Sequence, residues 1–218
     1  MTVAPFRVTR NLITNADYLA FMDTGAYLDP SFWTEEGWAW RTRTGMRHPK
    51  FWIETEDGFA YRAMFDVLPM PMDWPVEVNA HEVMAYIRWK GPTYRLLSEA
   101  EFMLMATTQE DPLEAAHYNL HFRFGSCTPV GFDQDTMPGC TDLWGNVWDW
   151  LSDDFYPLPG FETHTLYEDF SEPFMDADHS MLLGGSWITA GTGASRYYRL
   201  WFRRHFYQHA GFRLAWNG

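Results

Sequence analysis

The chain has 218 residues, of which 46% are hydrophobic and 18% aromatic, and 16 basic against 29 acidic side chains give it a formal net charge of −13. A chain of this size can bury about 70% of its unfolded surface, so its composition excludes a disordered or fibrous protein. No apolar run approaches the roughly 18 residues that span a bilayer, and residues 1–8 lack a signal-peptide pattern. The acidic balance disfavours nucleic acid, because phosphate contacts need Lys and Arg. We expect a soluble, cytoplasmic protein with no membrane or nucleic-acid partner.

The cysteine content and the lack of dividing segments bear on the organisation of the chain. Two cysteines, Cys127 and Cys140, are too few for a disulfide framework in a chain this long, and we interpret them as free structural thiols. No internal repeat, low-complexity tract or linker divides the sequence. Residues 1–218 are therefore predicted to form a single domain.

The first 75 residues contain one predicted helix and much irregular chain. Thr14 or Asn15 is the expected N-cap of the helix, apolar residues follow at helical spacing, and Gly25 is its expected end. Residues 30–75 hold many aromatic side chains but show no sustained period of 3.6 or 2.0 residues. We interpret this region as irregular chain with short strands, such as residues 59–64.

Two further helices are predicted from capping boxes. Asn79 and Glu82 form the first box, before an apolar face that Gly91 ends, and Ser98 and Glu101 form the second. After residue 114 the chain is rich in Gly and Pro, so long loops pinned by aromatic rings are expected. The predicted class is α+β, with two or three helices, short antiparallel strands and much irregular loop.

Several motifs occur in an order that resembles a known family. Residues 94–102 (YRLLSEAEF), 145–150 (GNVWDW), 184–187 (GGSW) and 211–213 (GFR) together resemble the formylglycine-generating-enzyme fold, a C-type-lectin-like domain. The resemblance covers nearly the whole chain. Within that superfamily, residues 73–79, 155–161, 166–173 and 203–213 are similar to the central domain of the 5-histidylcysteine sulfoxide synthases, the iron enzymes of ovothiol biosynthesis.

This resemblance implies an oxidoreductase in which Fe(II) and O2 couple cysteine to the imidazole of histidine as a sulfoxide. In that family the three histidine iron ligands lie on an N-terminal DinB-like helical bundle and a methyltransferase domain follows, and we expect neither in this chain. The prediction is a substrate-binding domain whose iron is supplied by another domain or a DinB-like partner. The alternative is a non-catalytic ligand-binding module on the same scaffold. Formylglycine formation is disfavoured, since Cys127 and Cys140 lie upstream of the region where that activity places its paired cysteines.

Four arginines lie between residues 199 and 213. A bidentate guanidinium is a natural partner for the carboxylate of an amino-acid substrate in an otherwise acidic protein. The predicted substrate-binding residues are Trp187, Arg199, Arg203, Arg204 and His205. The alternative is that the arginines form structural ion pairs with the surplus of Asp and Glu.

The resemblance also implies an active-site tyrosine that donates a proton. Tyr156 is the nearest candidate by position, and Tyr167 and Tyr207 are alternatives. A phenol whose pKa is near 10 holds its proton at neutral pH and can deliver it. The competing interpretation is a tyrosine that packs beside the neighbouring prolines.

Two histidine pairs have the spacing that would place both imidazoles on one helix face. These are His117 with His121 and His205 with His209, and two such pairs would be enough to hold iron or zinc. The surrounding residues are typical of strand or loop, however, where this spacing has no such meaning. We favour polar or partly buried histidines that are hydrogen-bonded to the backbone.

A structural calcium site is a further prediction, since the corresponding loop of formylglycine-generating enzymes binds Ca2+. The resemblance implies carboxylate ligands from Asp142 and Asp149 and carbonyl ligands from Gly145 and Val147. Hard oxygen ligands of this kind suit calcium. The alternative is a tight turn in which Asp142 caps and Asn146 adopts an unusual backbone angle.

Overall fold

Helices occupy mainly the first half of the chain, and short strands are spread along its whole length. The structure, a computed structural model, describes residues 2–110, 112, 117–132 and 139–218. The α-helices in these ranges are α1 (Asn15–Met22), α2 (Glu35–Thr44), α3 (Ala80–Lys90), α4 (Glu99–Ala106) and α5 (Glu168–Ser171). The strands are β1 (Phe6–Val8), β2 (Trp52–Thr55), β3 (Gly58–Arg62), β4 (Val67–Pro69), β5 (Trp148–Asp154), β6 (His179–Leu183), β7 (Leu200–Arg203), β8 (Ala210–Gly211) and β9 (Ala215–Asn217).

The strands form three small sheets. Strands β1 and β9 pair antiparallel, with Arg7 opposite Trp216, and so join segments from near both ends of the chain. Strands β2, β3 and β4 form an antiparallel meander, and the third sheet has the order β7-β6-β5-β8. In that sheet β5 and β8 run parallel, whereas the other neighbours run antiparallel. The prediction of short antiparallel strands is confirmed apart from this one parallel pair.

Aromatic rings build the core between helix α3 and the sheets. The Tyr86 ring stacks on Tyr18 with centroids 5.5 Å apart, and its edge meets Phe212 at 5.2 Å. The Trp150 indole donates a hydrogen bond to the Val78 carbonyl at 2.9 Å, which ties β5 to the segment that leads into α3. Because each ring buries about 150–250 Å², such contacts can hold long loops in place where regular elements are few.

The capping residues place three helices as predicted. Thr14 is the N-cap of α1, and both predicted capping boxes form, at Asn79 with Glu82 and at Ser98 with Glu101. Each box satisfies two backbone amides that have no partner within the helix. The local sequence therefore decides where these helices start.

We expect the replacement Ser98→Ala to lower the free energy of unfolding by about 1 kcal/mol, because α4 loses the side-chain oxygen that accepts from the Glu101 amide. The replacement Thr108→Ala is the matched control. That hydroxyl is exposed and donates to the Met105 carbonyl in the last turn of the helix, so its loss is expected to change stability by less than about 0.5 kcal/mol. Urea denaturation of both variants measures the difference, and equal losses would contradict the capping argument.

Helix α2 lies in the region that the sequence analysis interpreted as irregular, so that interpretation is wrong for residues 35–44. Thr34 caps the helix through the Gly37 amide, and Gly45 ends it with φ +68°. The first turn is acidic and the last turn basic, which complements the helix dipole. The helix buries one tryptophan, Trp40, instead of a periodic apolar stripe, and a search for periodicity therefore misses it. Helix α5 was also not predicted, so the expected number of helices was too low.

Both cysteines are buried and unpaired, as predicted. Within the described ranges, none of the helices combines the length and the apolar character needed to cross a membrane.

Candidate functional site

A cavity with charged side chains in its lining lies between α3 and strands β5 and β6 of the described structure, and its volume is about 480 Å³. We call it the Arg204 cavity. Its apolar wall comes from α3 and β5, and three of its charged lining residues, Glu36, Asp154 and Arg204, form one cluster. The residues that line it include Glu36, His81, Met84, Leu151, Asp154 and Arg204.

The start of α3 fixes the backbone that carries Arg204. The Ala80 amide donates to the Arg204 carbonyl at 3.0 Å, and the Asn79 side chain donates to the His205 carbonyl at 3.5 Å. The same residues that begin the helix therefore anchor the turn after β7. This anchoring holds Arg204 at the cavity wall.

The Arg204 guanidinium stands between two carboxylates. Its Nη2 atom donates to Asp154 Oδ1 and to the Ala177 carbonyl, each at 2.9 Å, and its Nη1 atom lies 3.6 Å from Glu36 Oε2. The side chain is 27% exposed, so these ion pairs are partly open to solvent. A guanidinium beside two carboxylates can bind both the carboxylate and the ammonium of an amino acid.

His81 adds a neutral imidazole to this wall. Burial, followed by the positive charges of His205, Arg204 and Arg43, lowers the pKa of His81 to about 4. At neutral pH its ring therefore has one nitrogen that donates and one that accepts a hydrogen bond. The sequence analysis missed this residue, because a single histidine in the first turn of a helix carries no motif.

The other predicted substrate-binding residues do not gather around this cavity. Arg203 and His205 are exposed on either side of Arg204 and do not line it. Trp187 is buried and lines a different cavity. Arg199 makes a two-pronged ion pair with Glu99, with nitrogen–oxygen distances of 2.6 and 2.9 Å. For Arg199, the alternative of a structural ion pair therefore describes the observed contacts.

Tyr156 lies beside that ion pair and does not line the Arg204 cavity. Its carbonyl accepts from Arg199 Nη1 at 3.0 Å, and the guanidinium lies 5.5 Å from the centre of its ring. Burial, aided by the charges of Asp153 and Glu99, raises the pKa of the phenol, which therefore keeps its proton at neutral pH. Its role as a proton donor stays a prediction.

The two alternative tyrosines differ in their surroundings. Tyr167 is exposed at the N-terminus of α5. Tyr207 has a buried hydroxyl without a hydrogen-bond partner in the described structure, and burial raises its pKa. Neither environment singles out one of them as the proton donor.

The loop from Asp142 to Asp149 is held by protein donors. Asp142 accepts from the Gly131 amide at 2.6 Å and from the Asn146 side chain at 3.3 Å, and Asp149 accepts from Arg213 at 2.9 Å. Both carboxylates thus already have protein partners, and Asp149 faces a cation. These hydrogen-bond donors fit a buried ion pair better than a Ca2+ site. Calcium binding stays a prediction.

Backbone geometry supports the tight-turn alternative for this loop. Asn146 has φ +62°, and Gly145 has φ +76°. A Cβ atom on Gly145 would lie 2.5 Å from the Asn119 carbonyl oxygen, so this position requires glycine. Val147, two residues after Gly145, is buried.

The described residues contain no group of three or more His, Cys, Asp or Glu side chains that could hold a metal ion. Neither histidine pair lies on a helix: His121 has φ +55°, and His205 and His209 lie in the turn and loop after β7. His209 instead pairs with Glu77, with Nδ1 2.6 Å from Oε1. These residues do not fit an iron site.

Comparison with known proteins identifies the class to which this fold and cavity belong. Residues 1–218 match the sulfatase-modifying factor enzyme 1-like domain, and the chain belongs to this family. The structure of PvdO from Pseudomonas aeruginosa shares the fold, with a TM-score of 0.59 and 17% identity over 98% of this chain and 80% of that one. The predicted α+β formylglycine-generating-enzyme fold is thus confirmed.

Two proteins that are similar to this chain in sequence are hercynine oxygenases of mycobacteria. The chain is 32% identical to that of Mycobacterium tuberculosis and 34% identical to that of Mycolicibacterium thermoresistibile, in each case over 99% of this chain. It spans 53% and 51% of their lengths, or about half of the curated relatives that it matches. The likeness to sulfoxide-synthase-type enzymes is therefore confirmed, but these relatives are named for hercynine and not for the ovothiol pathway.

Proposed function

We propose that this chain is the substrate-binding domain of a sulfoxide-synthase-type oxidoreductase that joins the sulfur of a thiol to an imidazole carbon. The observation that carries the proposal is the Arg204 cavity, with its guanidinium between two carboxylates, in a chain that is similar throughout to hercynine oxygenases. The acceptor is histidine, as in ovothiol formation, or its betaine hercynine. The thiol donor is cysteine or a cysteine-containing peptide.

The overall reaction is balanced by O2 alone. One thiol, R–SH, and one imidazole C–H react with O2 to give the aryl sulfoxide and water. The carbon–sulfur and sulfur–oxygen bonds form, the S–H and C–H bonds break, and the four electrons that the two substrates lose reduce O2. Iron supplies the oxidising chemistry when it is bound.

The role of this chain is to bind and orient the acceptor. The substrate carboxylate pairs with Arg204, its amino or trimethylammonium group faces Asp154 and Glu36, and the neutral His81 ring can exchange hydrogen bonds with the imidazole. Such fixed orientation is the part of catalysis that a binding domain can provide. No metal-dependent step is assigned to the residues of this chain.

An exposed aromatic face on this chain is a candidate docking site for a partner domain. Large apolar side chains lie exposed in residues 156–170 and 197–206, and the Phe170 ring contacts Trp201 at 5.4 Å, which joins the two segments. Exposed apolar side chains mark an interaction site where they form a contiguous patch. We propose that a DinB-like helical domain that carries the iron ligands docks on this face, since the curated relatives are about twice as long as this chain.

The proposal is tested first by binding. Calorimetric titration of the purified chain with histidine and with hercynine is expected to show saturable binding of one of them. The replacement Arg204→Gln should raise its Kd by tenfold or more, because a charge-assisted hydrogen bond contributes about 1.5–3 kcal/mol. The replacement Arg203→Gln is the matched control, since this neighbour is exposed and does not line the cavity. Equal effects of the two replacements, or no binding, would contradict the proposal.

Turnover is the second test. The chain is supplied with Fe(II), cysteine, O2 and either acceptor, with and without a helical-bundle partner, and the coupled sulfoxide is detected by mass spectrometry. Product formed from histidine but not from hercynine would support the ovothiol-type reaction, and the reverse would support the ergothioneine-type reaction. If neither acceptor reacts in the presence of the partner, the alternative of a non-catalytic binding module is favoured.

A further inference from the structure

A second cavity, of about 190 Å³, lies between the β2–β3 hairpin and the loop before β8. We call it the His209 cavity, and it shares no lining residue with the Arg204 cavity. Its walls are mainly aromatic and apolar. The residues that line it include Phe51, Arg62, Met64, Trp187 and His209.

A buried carboxylate orients His209. The Nδ1 atom of His209 lies 2.6 Å from Glu77 Oε1, and the Tyr61 hydroxyl donates to the other oxygen of Glu77. The Glu77 side chain is only 1% exposed. Because a carboxylate can only accept, Nδ1 carries the proton, and Nε2 is left for a partner outside this pair.

Two aromatic rings hold the His209 imidazole in place. Phe51 is stacked on it, with centroids 5.3 Å apart and planes at 18°, and Trp187 lies 4.9 Å away. A fixed imidazole with aromatic neighbours offers a flat surface on which a planar ligand can pack. The site is therefore rigid before a ligand binds.

Two residues that line this cavity carry donors without acceptors in the described structure. The Trp187 indole N–H is buried and has no hydrogen-bond partner in the described structure. The exposed Arg62 lines the cavity, and in the described part of the chain its guanidinium makes no ion pair, although acidic residues outnumber basic ones by 29 to 16. Both groups can only donate. A ligand that pairs with Arg62 must bring acceptor oxygens and negative charge.

We propose that the His209 cavity is a second binding site, which takes a small aromatic or heteroaromatic carboxylate. The planar carboxylate matches the fork of the Arg62 guanidinium, and the ligand ring packs against Phe51 and Trp187. In this tautomer His209 Nε2 is an acceptor, so it can take a hydrogen bond from a ring N–H of a heteroaromatic ligand. The volume of the cavity limits the ligand to a single small ring with its carboxylate.

The test uses benzoate as the probe and nuclear magnetic resonance as the readout. The indole N–H resonance of Trp187, assigned with the Trp187→Phe variant, and the ring resonances of His209 are followed as benzoate is added. We expect a saturable shift of both, and an increase in Kd of at least tenfold in Arg62→Ala. The matched control, Arg7→Ala, changes an exposed arginine on β1 and should leave the Kd unchanged.

Several results would overturn the assignment. These are a linear, unsaturable shift, an Arg62→Ala variant that binds benzoate as the parent does, and inorganic phosphate that binds as tightly as benzoate, which would indicate a simple anion site. Benzyl alcohol, which lacks the charge, is expected not to bind. Because no measurement uses turnover and Arg204→Gln should leave benzoate binding unchanged, the outcome is independent of the proposed sulfoxide-synthase function.

Discussion

The replacement Arg213→Met is expected to lower the free energy of unfolding by about 3–5 kcal/mol, because it leaves the buried carboxylate of Asp149 without its counter-charge. The Arg213 side chain is 1% exposed, and its Nε donates to Asp149 at 2.9 Å. Its terminal nitrogens donate to the carbonyls of Arg10, Thr141 and Asp142 at 3.1–3.2 Å. One guanidinium thus ties the segment before α1 and the loop before β5 to the chain end.

Urea denaturation followed by circular dichroism measures this loss. The replacement Arg7→Met is the control, since that arginine is exposed and should change stability by less than about 0.5 kcal/mol. Adding Asp149→Leu to Arg213→Met should recover part of the loss, because no charge is then left buried, although three carbonyls still lack their donor. A loss below about 1 kcal/mol in the single variant would show that the ion pair is not needed for the fold.

The second large effect is a pH dependence of stability that arises from Glu82. Burial raises the pKa of this carboxyl to about 7, although hydrogen bonds from Tyr27 and from the Asn79 amide oppose the rise. In the unfolded chain the pKa returns to its ordinary value of 4.5. Between these two values the folded state keeps a proton that the unfolded state has lost. The contribution of Glu82 to stability therefore falls as the pH rises through this window and is level above it, whereas the lowered pKa of His81 acts in the opposite direction between about 4 and its ordinary value of 6.5.

Each pKa unit corresponds to about 1.4 kcal/mol, so Glu82 should make the protein about 2 kcal/mol less stable at pH 8 than at pH 5.5. The variant Glu82→Gln cannot titrate, and we expect it to lack this contribution. The difference between variant and parent isolates Glu82, because His81, whose pKa is lowered to about 4, contributes equally to both. Denaturation at the two pH values provides the measurement. The exposed Glu54→Gln is the control that should retain the parental pH dependence, and a Glu82→Gln variant that retains it as well would contradict the assignment.

Local sequence was sufficient for the two capping boxes, whose stabilising contacts lie within one helical turn. The boxes at Asn79 with Glu82 and at Ser98 with Glu101 join residues three positions apart, and both form as predicted. Helix α2 had comparable local signals, an N-cap at Thr34 and a terminal Gly45, but lacks the apolar period on which the prediction relied. The ordered motifs also sufficed for the family, since the matching domain covers residues 1–218.

The placement of the site residues depended on contacts that are distant in the sequence. Arg199 meets Glu99 across 100 positions, and His209 meets Glu77 across 132. The arginines between 199 and 213 look alike in the sequence, yet one is exposed and three form ion pairs with carboxylates elsewhere in the chain, and only one of those three lines the Arg204 cavity. Spacing could not separate these outcomes, because the partner of each guanidinium lies on a different element.

The sequence by itself therefore determined the fold family and three of the helices, since these depend on the order of motifs and on capping within a few residues. Only the tertiary structure decided which guanidinium stands at a cavity, that His81 is neutral, and that Glu77 and Trp187 meet His209. Burial and long-range pairing set the charge and the accessibility of these groups, and neither property is encoded within one segment of the chain.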